Sequence, residues 1–271
     1  MTDFLLVLFS KDPSTIIQAV QAGVRAVIVD WEHIGKEERQ FGVDTEINHD
    51  TTEDLKRVRA CTKATVICRI NSHGDRTEEE IEAAADAGAD EILLPMVRTL
   101  YQVENVIDLA RRRCGVGILV ETVDAIHLAP DLGRLPLSRV YVGLNDMAID
   151  RKNPDNIFLP IFDGTVERLR RHFPAIPFGF GGLTTPDGGF PLPCRLLMAE
   201  MVRLGCSFSF LRRTFHRDMK GRCVAIEIPR ILDTLGEMAL RSRDAVTRDK
   251  DNLDRRILSL SDSRHVARKF P

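Results

Sequence analysis

The chain lacks the features that would place it in several large functional classes. Over 271 residues the net charge is only −2, and no basic stripe marks a nucleic-acid surface. No apolar run approaches the roughly 18 residues of a membrane span. The opening MTDFLLVLFSKDPS has neither a basic n-region nor a small-residue cleavage site, so it reads as a first strand and not as a signal peptide. The six cysteines (Cys61, Cys68, Cys114, Cys194, Cys206 and Cys223) form no CxxC pair. They lie mostly in apolar segments and read as free buried thiols of a cytoplasmic protein. Tryptophan occurs once, as Trp31. No GxGxxG follows the first apolar run, which argues against a dinucleotide-binding open sheet. The remainder is ordinary for a soluble globular protein, with 44% hydrophobic and 29% charged residues.

What is present is a rhythm. Eight short apolar runs, FLLVLF (4–9), RAVIVD (25–30), ATVICRI (64–70), EILLPMV (91–97), VGILVE (116–121), RVYVGL (139–144), IPFGFG (176–181) and CSFSFLR (206–212), alternate with helix-length segments. Near-continuous hydrophobicity is the signature of strands buried on both faces of a parallel sheet. PSTIIQAVQAG (13–23) has Asp12 as N-cap, Pro13 in the first turn and Gly23 as stop. TEEEIEAAADAGAD (77–90) and TLYQVENVIDLARRRCG (99–115) follow the same logic, the first acidic at its start and the second basic at its end. Eight such units predict an α/β fold, a single (β/α)8 TIM barrel over 1–241, with a charged C-terminal extension over 242–271 that is a helical arm or partly disordered. A polar loop, 36–50, reads as a lid or subunit contact.

In a barrel of this type the chemistry gathers at the C-terminal ends of the strands. Those positions hold Lys11 and Asp12, then Asp30, Glu32 and His33, then Arg69, Pro95 and Met96, Glu121, Asn145 and Asp146, Gly181 and Gly182, and Arg212 and Arg213. Arg69, Pro95, Glu121 and Asp146 follow one another at intervals of 26, 26 and 25 residues. Two carboxylates from neighbouring strands, Glu121 and Asp146, suit a hard divalent cation that keeps positions open for substrate oxygens. Arg69 offers a planar fork to a carboxylate or an enolate oxygen. His33 is the natural proton carrier near neutral pH. Arg212 and Arg213 are candidates for an anionic acceptor. Lys11 raises a Schiff-base mechanism, but SKDPS is explained as a helix-start turn.

The order VDWEH … CRIN … EILLPMV … LVET … VYVGLNDMA resembles the HpcH/HpaI aldolase and citrate lyase β-subunit family of metal-dependent pyruvate barrels, over roughly 4–215. The resemblance implies Glu121 and Asp146 as Mg²⁺ or Mn²⁺ ligands, Arg69 on the pyruvate keto and enolate oxygen, and His33 as acid/base. It further implies that the backbone N–H groups of Asn145 and Asp146 hold the pyruvate carboxylate. Asp86 would partner His33, within the chain or across a subunit interface. From the residues themselves, Asp30 reads as fixing the geometry of strands 2 and 3 through Arg69, and Glu32 as holding a metal-bound water or orienting its neighbours. The resemblance also implies a homo-oligomer, trimer or hexamer. His33 matches the aldolase branch, whereas RRRCGVGILVET lacks that branch's long loop before strand 5.

The expected activity is carbon–carbon cleavage or formation of a 4-hydroxy-2-oxo acid from pyruvate and an aldehyde, with no nucleic acid or membrane partner. The rivals are a CoA-ester lyase of the citramalyl or malyl type and a non-catalytic barrel that binds a keto acid.

Overall fold

The computed structural model describes residues 3–35 and 49–267, the last seven by backbone only. The eight expected strands are present: β1 Leu5–Phe9, β2 Ala26–Asp30, β3 Thr65–Arg69, β4 Glu91–Leu94, β5 Gly115–Val120, β6 Arg139–Val142, β7 Phe178–Phe180 and β8 Phe208–Leu211. Among the described residues the helices are α1 Pro13–Gln21, α2 Thr52–Cys61, α3 Thr77–Asp86, α4 Leu100–Ala110, α5 Val123–Leu132, α6 Leu144–Asp150, α7 Leu159–Phe162, α8 Thr165–His172, α9 Cys194–Arg203, α10 Arg213–Asp218, α11 Val224–Ala239 and α12 Arg243–Ala267.

All strand pairs are parallel and run in the order β7-β6-β5-β4-β3-β2-β1-β8. The ring closes between β7 and β8, where Ser207 N–H donates to Phe178 O at 3.0 Å and the Ser209 hydroxyl to Phe180 O at 2.7 Å. Gly179 permits this approach, because a Cβ there would lie 2.1 Å from Phe208 O. The result is a (β/α)8 barrel. Strand alternation divides its apolar residues into two sets. Val7, Phe9, Ile28, Ile67, Leu93, Leu119, Tyr141, Phe208 and Phe210 fill the interior, while Leu6, Leu8, Val27, Val29, Val66 and Ile92 pack outward beneath the helices. Burial of both faces explains why the strands read as unbroken apolar runs.

Local chemistry sets the helix starts. The Asp12 carboxylate accepts from Thr15 N–H at 2.7 Å, with Pro13 next in the chain. Reciprocal capping boxes, Thr51 with Asp54 and Thr99 with Gln102, open α2 and α4. The ends come earlier than the sequence pattern indicates. The α4 helix stops at Ala110 because Arg111 and Arg112 turn into the left-handed region (φ 47° and 59°). The charged extension forms α12, which buries Leu253 and Ile257 against α9 and α7, and Asn156 Nδ2 donates to Ile257 O at 2.8 Å. Of the 36–50 loop, all but His49 and Asp50 lies outside the described residues. No helix among the described residues is long and apolar enough to cross a membrane. The six cysteines are free, but the expected burial holds for Cys68, Cys194 and Cys206 alone, because Cys61 and Cys114 are half-buried and Cys223 is exposed; burial pushes the Cys194 thiol up to about 12.

Candidate active site

A cavity of about 170 Å³ opens at the C-terminal mouth of the barrel. Of the residues singled out in the sequence, Arg69, Glu121, Asn145, Asp146, Arg212 and Arg213 line it. Its floor is aromatic: Phe9, Tyr141 and Phe210, with the last two rings stacked at 3.8 Å.

Arg69 ends β3 and is buried. Its Nε and Nη2 donate to the two oxygens of Asp30 at 2.7 and 2.6 Å, and its Nη1 lies 2.9 Å from Glu32 Oε2. Burial disfavours the cation, but Asp30 and Glu32 more than reverse this and the arginine pKa is raised. Asp30 and Glu32 thus engage all three guanidinium nitrogens of Arg69, and the planar fork is spent on Asp30 although the residue lines the cavity. This corrects the expectation that the fork itself faces the substrate. It also gives Asp30 and Glu32 a physical task, since a charge at this depth requires paired partners.

Glu121 follows β5 and is also buried. Met96 N–H donates to its Oε1 at 2.9 Å, and Met96 holds a left-handed φ of 53°. Such a conformation is unfavourable for a side chain of this size and is found where a site over-determines it. The other oxygen, Oε2, sits against Gly143, where a Cβ would lie only 2.3 Å away. Burial, and then the charges of Asp146 and Glu32, push the Glu121 carboxyl up to about 8. Asp146 is half-buried in the first turn of α6, whose N-cap is Gly143. Gly143→Ala should therefore drive the Glu121 carboxylate from its place. The expected outcome is a roughly 10²-fold loss of turnover, with an unchanged circular-dichroism spectrum as the check that the barrel still folds.

Among the described residues no three His, Cys, Asp or Glu side chains are grouped to hold a metal ion. The pair Glu121 and Asp146 is nonetheless a hard oxygen donor set on one wall of a cavity. That chemistry fits a Mg²⁺ or Mn²⁺ ion whose other positions are filled by water and substrate.

His33 is exposed and does not line the cavity. Its Nδ1 lies 2.8 Å from Trp31 O, its ring is 5.5 Å from that of His49, and its N–H donates to Asn71 Oδ1 at 2.9 Å. Asn71 also takes the Ile34 N–H, and its amide donates to Glu80 Oε1 at 2.7 Å. This buried Asn71–Glu80 pair fixes the start of the loop that carries His33. The only available signal for it was a polar residue directly after strand 3. Asp86 is different. It ends α3, which leads into the start of β4, whereas His33 follows the end of β2, so in a parallel barrel the two lie at opposite ends. Asp86 is exposed and paired with Arg113, and within one chain it does not meet His33. Lys11 is tied to Asp50 at 2.9 Å and Asp54 at 3.4 Å, which agrees with its reading as a turn residue.

The family model for HpcH/HpaI aldolase/citrate lyase matches residues 4–156. The chain belongs to this family. The members are lyases and aldolases, generally dependent on a divalent metal. No curated protein matches the chain. Among solved structures, an HpcH/HpaI aldolase from Desulfitobacterium hafniense DCB-2 superposes with a TM-score of 0.59 at 15% identity, over 76% of this chain and 86% of that one. Citrate synthase SbnG gives 0.57 at 16% identity, over 81% and 89%. Macrophomate synthase gives 0.56 at 16%, over 80% and 82%. At these identities the likeness to the HpcH/HpaI structures is one of fold.

Proposed function

We propose that the protein is a divalent-metal-dependent aldolase that makes or cleaves a 4-hydroxy-2-oxo acid through a pyruvate enolate. The observation that carries this reading is the convergence of Arg69, Glu121 and Asp146 on one small cavity. In the cleavage direction the keto acid's carboxylate meets the N–H groups of Asn145 and Asp146, which belong to the helix turn that has no intrahelical acceptors. Glu121 and Asp146 would hold Mg²⁺ or Mn²⁺, which when bound supplies Lewis-acid polarisation of the keto group. Arg69, held rigid by Asp30 and Glu32, places positive charge where the enolate oxygen develops, and such preorganised charge is a leading source of catalysis. His33 acts through Nε2, since Nδ1 is engaged by Trp31 O, and takes the C4 hydroxyl proton by way of water. The C3–C4 bond then breaks, its electron pair enters the keto group as the enolate, and an aldehyde leaves. Asp86 can partner His33 only in a homo-oligomer, from a second copy of the chain.

Pyruvate alone in D₂O with Mg²⁺ or Mn²⁺ tests this reading, because the enolate forms without any acceptor. Proton NMR should show the methyl signal exchanging, and EDTA should stop it. His33→Ala should keep part of the exchange while losing about 10²–10⁴-fold in aldol turnover, the range for a general acid–base residue. No exchange above the buffer rate at saturating metal would sink the pyruvate reading and favour a thioester lyase or a binding barrel.

A further inference from the structure

His33 and His49 stand sixteen residues apart in the chain, yet their rings meet with centroids 5.5 Å apart and planes tilted by 48°. Separate anchors place the two. Asn71 Oδ1 accepts the N–H groups of His33 and Ile34, both at 2.9 Å, and Glu80 holds Asn71 in turn. On the other side, the Asp50 carboxylate, next to His49, takes the Asp30 N–H at 3.0 Å and pairs with Lys11 at 2.9 Å. Two exposed imidazoles are thus brought together by attachments to the ends of β1, β2 and β3. Neither lines the cavity that holds Glu121 and Asp146.

The His33 tautomer follows from its partner. Trp31 O can only accept, so the proton sits on Nδ1, 2.8 Å away, and Nε2 carries the lone pair. A ring with one N–H held by a backbone carbonyl and the other nitrogen bare is in the state in which histidine binds metals. With Zn–N bonds of about 2.0–2.1 Å and a tetrahedral angle, two imidazoles on one ion have ring centres roughly 5–6 Å apart. The His33–His49 separation falls in that range.

We propose that His33 and His49 form a second metal site, distinct from the Glu121–Asp146 pair, that takes a borderline-soft cation such as Zn²⁺. Imidazole nitrogen favours such ions, whereas paired carboxylates favour Mg²⁺ or Mn²⁺, so the two sites sort metals by ligand type. Water completes the coordination. The bound ion occupies the Nε2 lone pair, the atom assigned above to the C4 hydroxyl proton, and a filled site therefore silences aldol turnover. That consequence rests on the aldolase reading; the binding itself does not.

Calorimetric titration of Zn²⁺ into Glu121→Gln, where the acidic pair is broken, reads the site without chemistry. One equivalent should bind. Adding His49→Phe, which keeps a ring but no nitrogen, should weaken it by on the order of 10²-fold, since even the partners behind a ligand are worth about 10–100-fold. No binding in Glu121→Gln, or equal binding after His49→Phe, overturns the proposal. Zn²⁺ added to the Mn²⁺-saturated protein should lower aldol turnover towards the His33→Ala level, while pyruvate keeps the methyl exchange which that variant keeps. His49→Phe should turn over as wild type does and resist the ion. Equal loss of turnover and exchange in both proteins would put Zn²⁺ on the acidic pair and overturn the proposal. Binding that His49→Phe abolishes, without inhibition of wild type, would overturn the blocking of His33. If that binding is seen while pyruvate alone never exchanges its methyl protons, the metal site stands and the pyruvate reading falls.

Discussion

Glu121→Gln is expected to abolish turnover and, in the same protein, to make the metal-free form more stable at alkaline pH. The first effect follows from removing one of the two carboxylates available to a divalent ion. Isothermal titration with Mg²⁺ or Mn²⁺ should show the lost affinity. The second follows from the raised Glu121 pKa, about 8 against an ordinary 4.5. Between those values the folded chain keeps a proton that the unfolded chain releases, so stability falls as pH rises through this window and levels off above it. Each pH unit crossed costs up to about 1.4 kcal/mol. Glutamine carries no charge to bury, so the slope should vanish. Thermal melts of metal-free wild type and Glu121→Gln at pH 5.5 and pH 8.5 measure the difference. Parallel curves for the two proteins would mean that Glu121 is not held against its ionisation.

The second large effect is at Arg69. Methionine in its place would leave Asp30 and Glu32, both 1% exposed, without their shared cation. Breaking a buried pair in this way costs about 3–5 kcal/mol, which denaturant unfolding would register. Arg69→Lys keeps the charge but has no second edge, so it can serve Asp30 or Glu32 well and not both. Its turnover should drop on the order of 10²–10³-fold, as for loss of a preorganised donor. The double substitution Asp30→Asn with Arg69→Met should recover part of the stability and none of the activity. Recovery of both would make the pair purely structural.

Much of this arrangement was legible in the chain because barrel strands obey simple rules. Val27 to Asp30 reads as a strand buried on both sides that ends in charge, and β2 ends at Asp30. The near-even spacing of Arg69, Pro95, Glu121 and Asp146 placed them on one rim, and Arg69, Glu121 and Asp146 line one cavity. Three things were not legible, each for a physical reason. The pairing of Arg69 with Asp30 is read from the chain, but its further contact with Glu32, more than thirty residues away in sequence, is not. The left-handed turn at Met96 leaves no mark in residue type, because only the bond it delivers to Glu121 justifies the strain. Asp86 pairs with Arg113, 27 residues further on, and no local pattern announces that partner.

The seam between β7 and β8 gives the ring an uneven stiffness. Every other neighbouring pair is joined by a ladder of backbone bonds, whereas this one is joined among the described residues by the Ser207 amide and the Ser209 hydroxyl. Local opening is cheapest where the fewest backbone bonds must break, so amide deuteration should reach Ser207 well before the corresponding positions of β3 and β5. The donor groups Arg69 and Glu121 stand on the stiff arc, and Gly181, Gly182 and Arg212 stand on the yielding one. On the aldolase reading proposed above, a molecule built this way would be exacting about the keto acid and forgiving about the length of the partner joined to it.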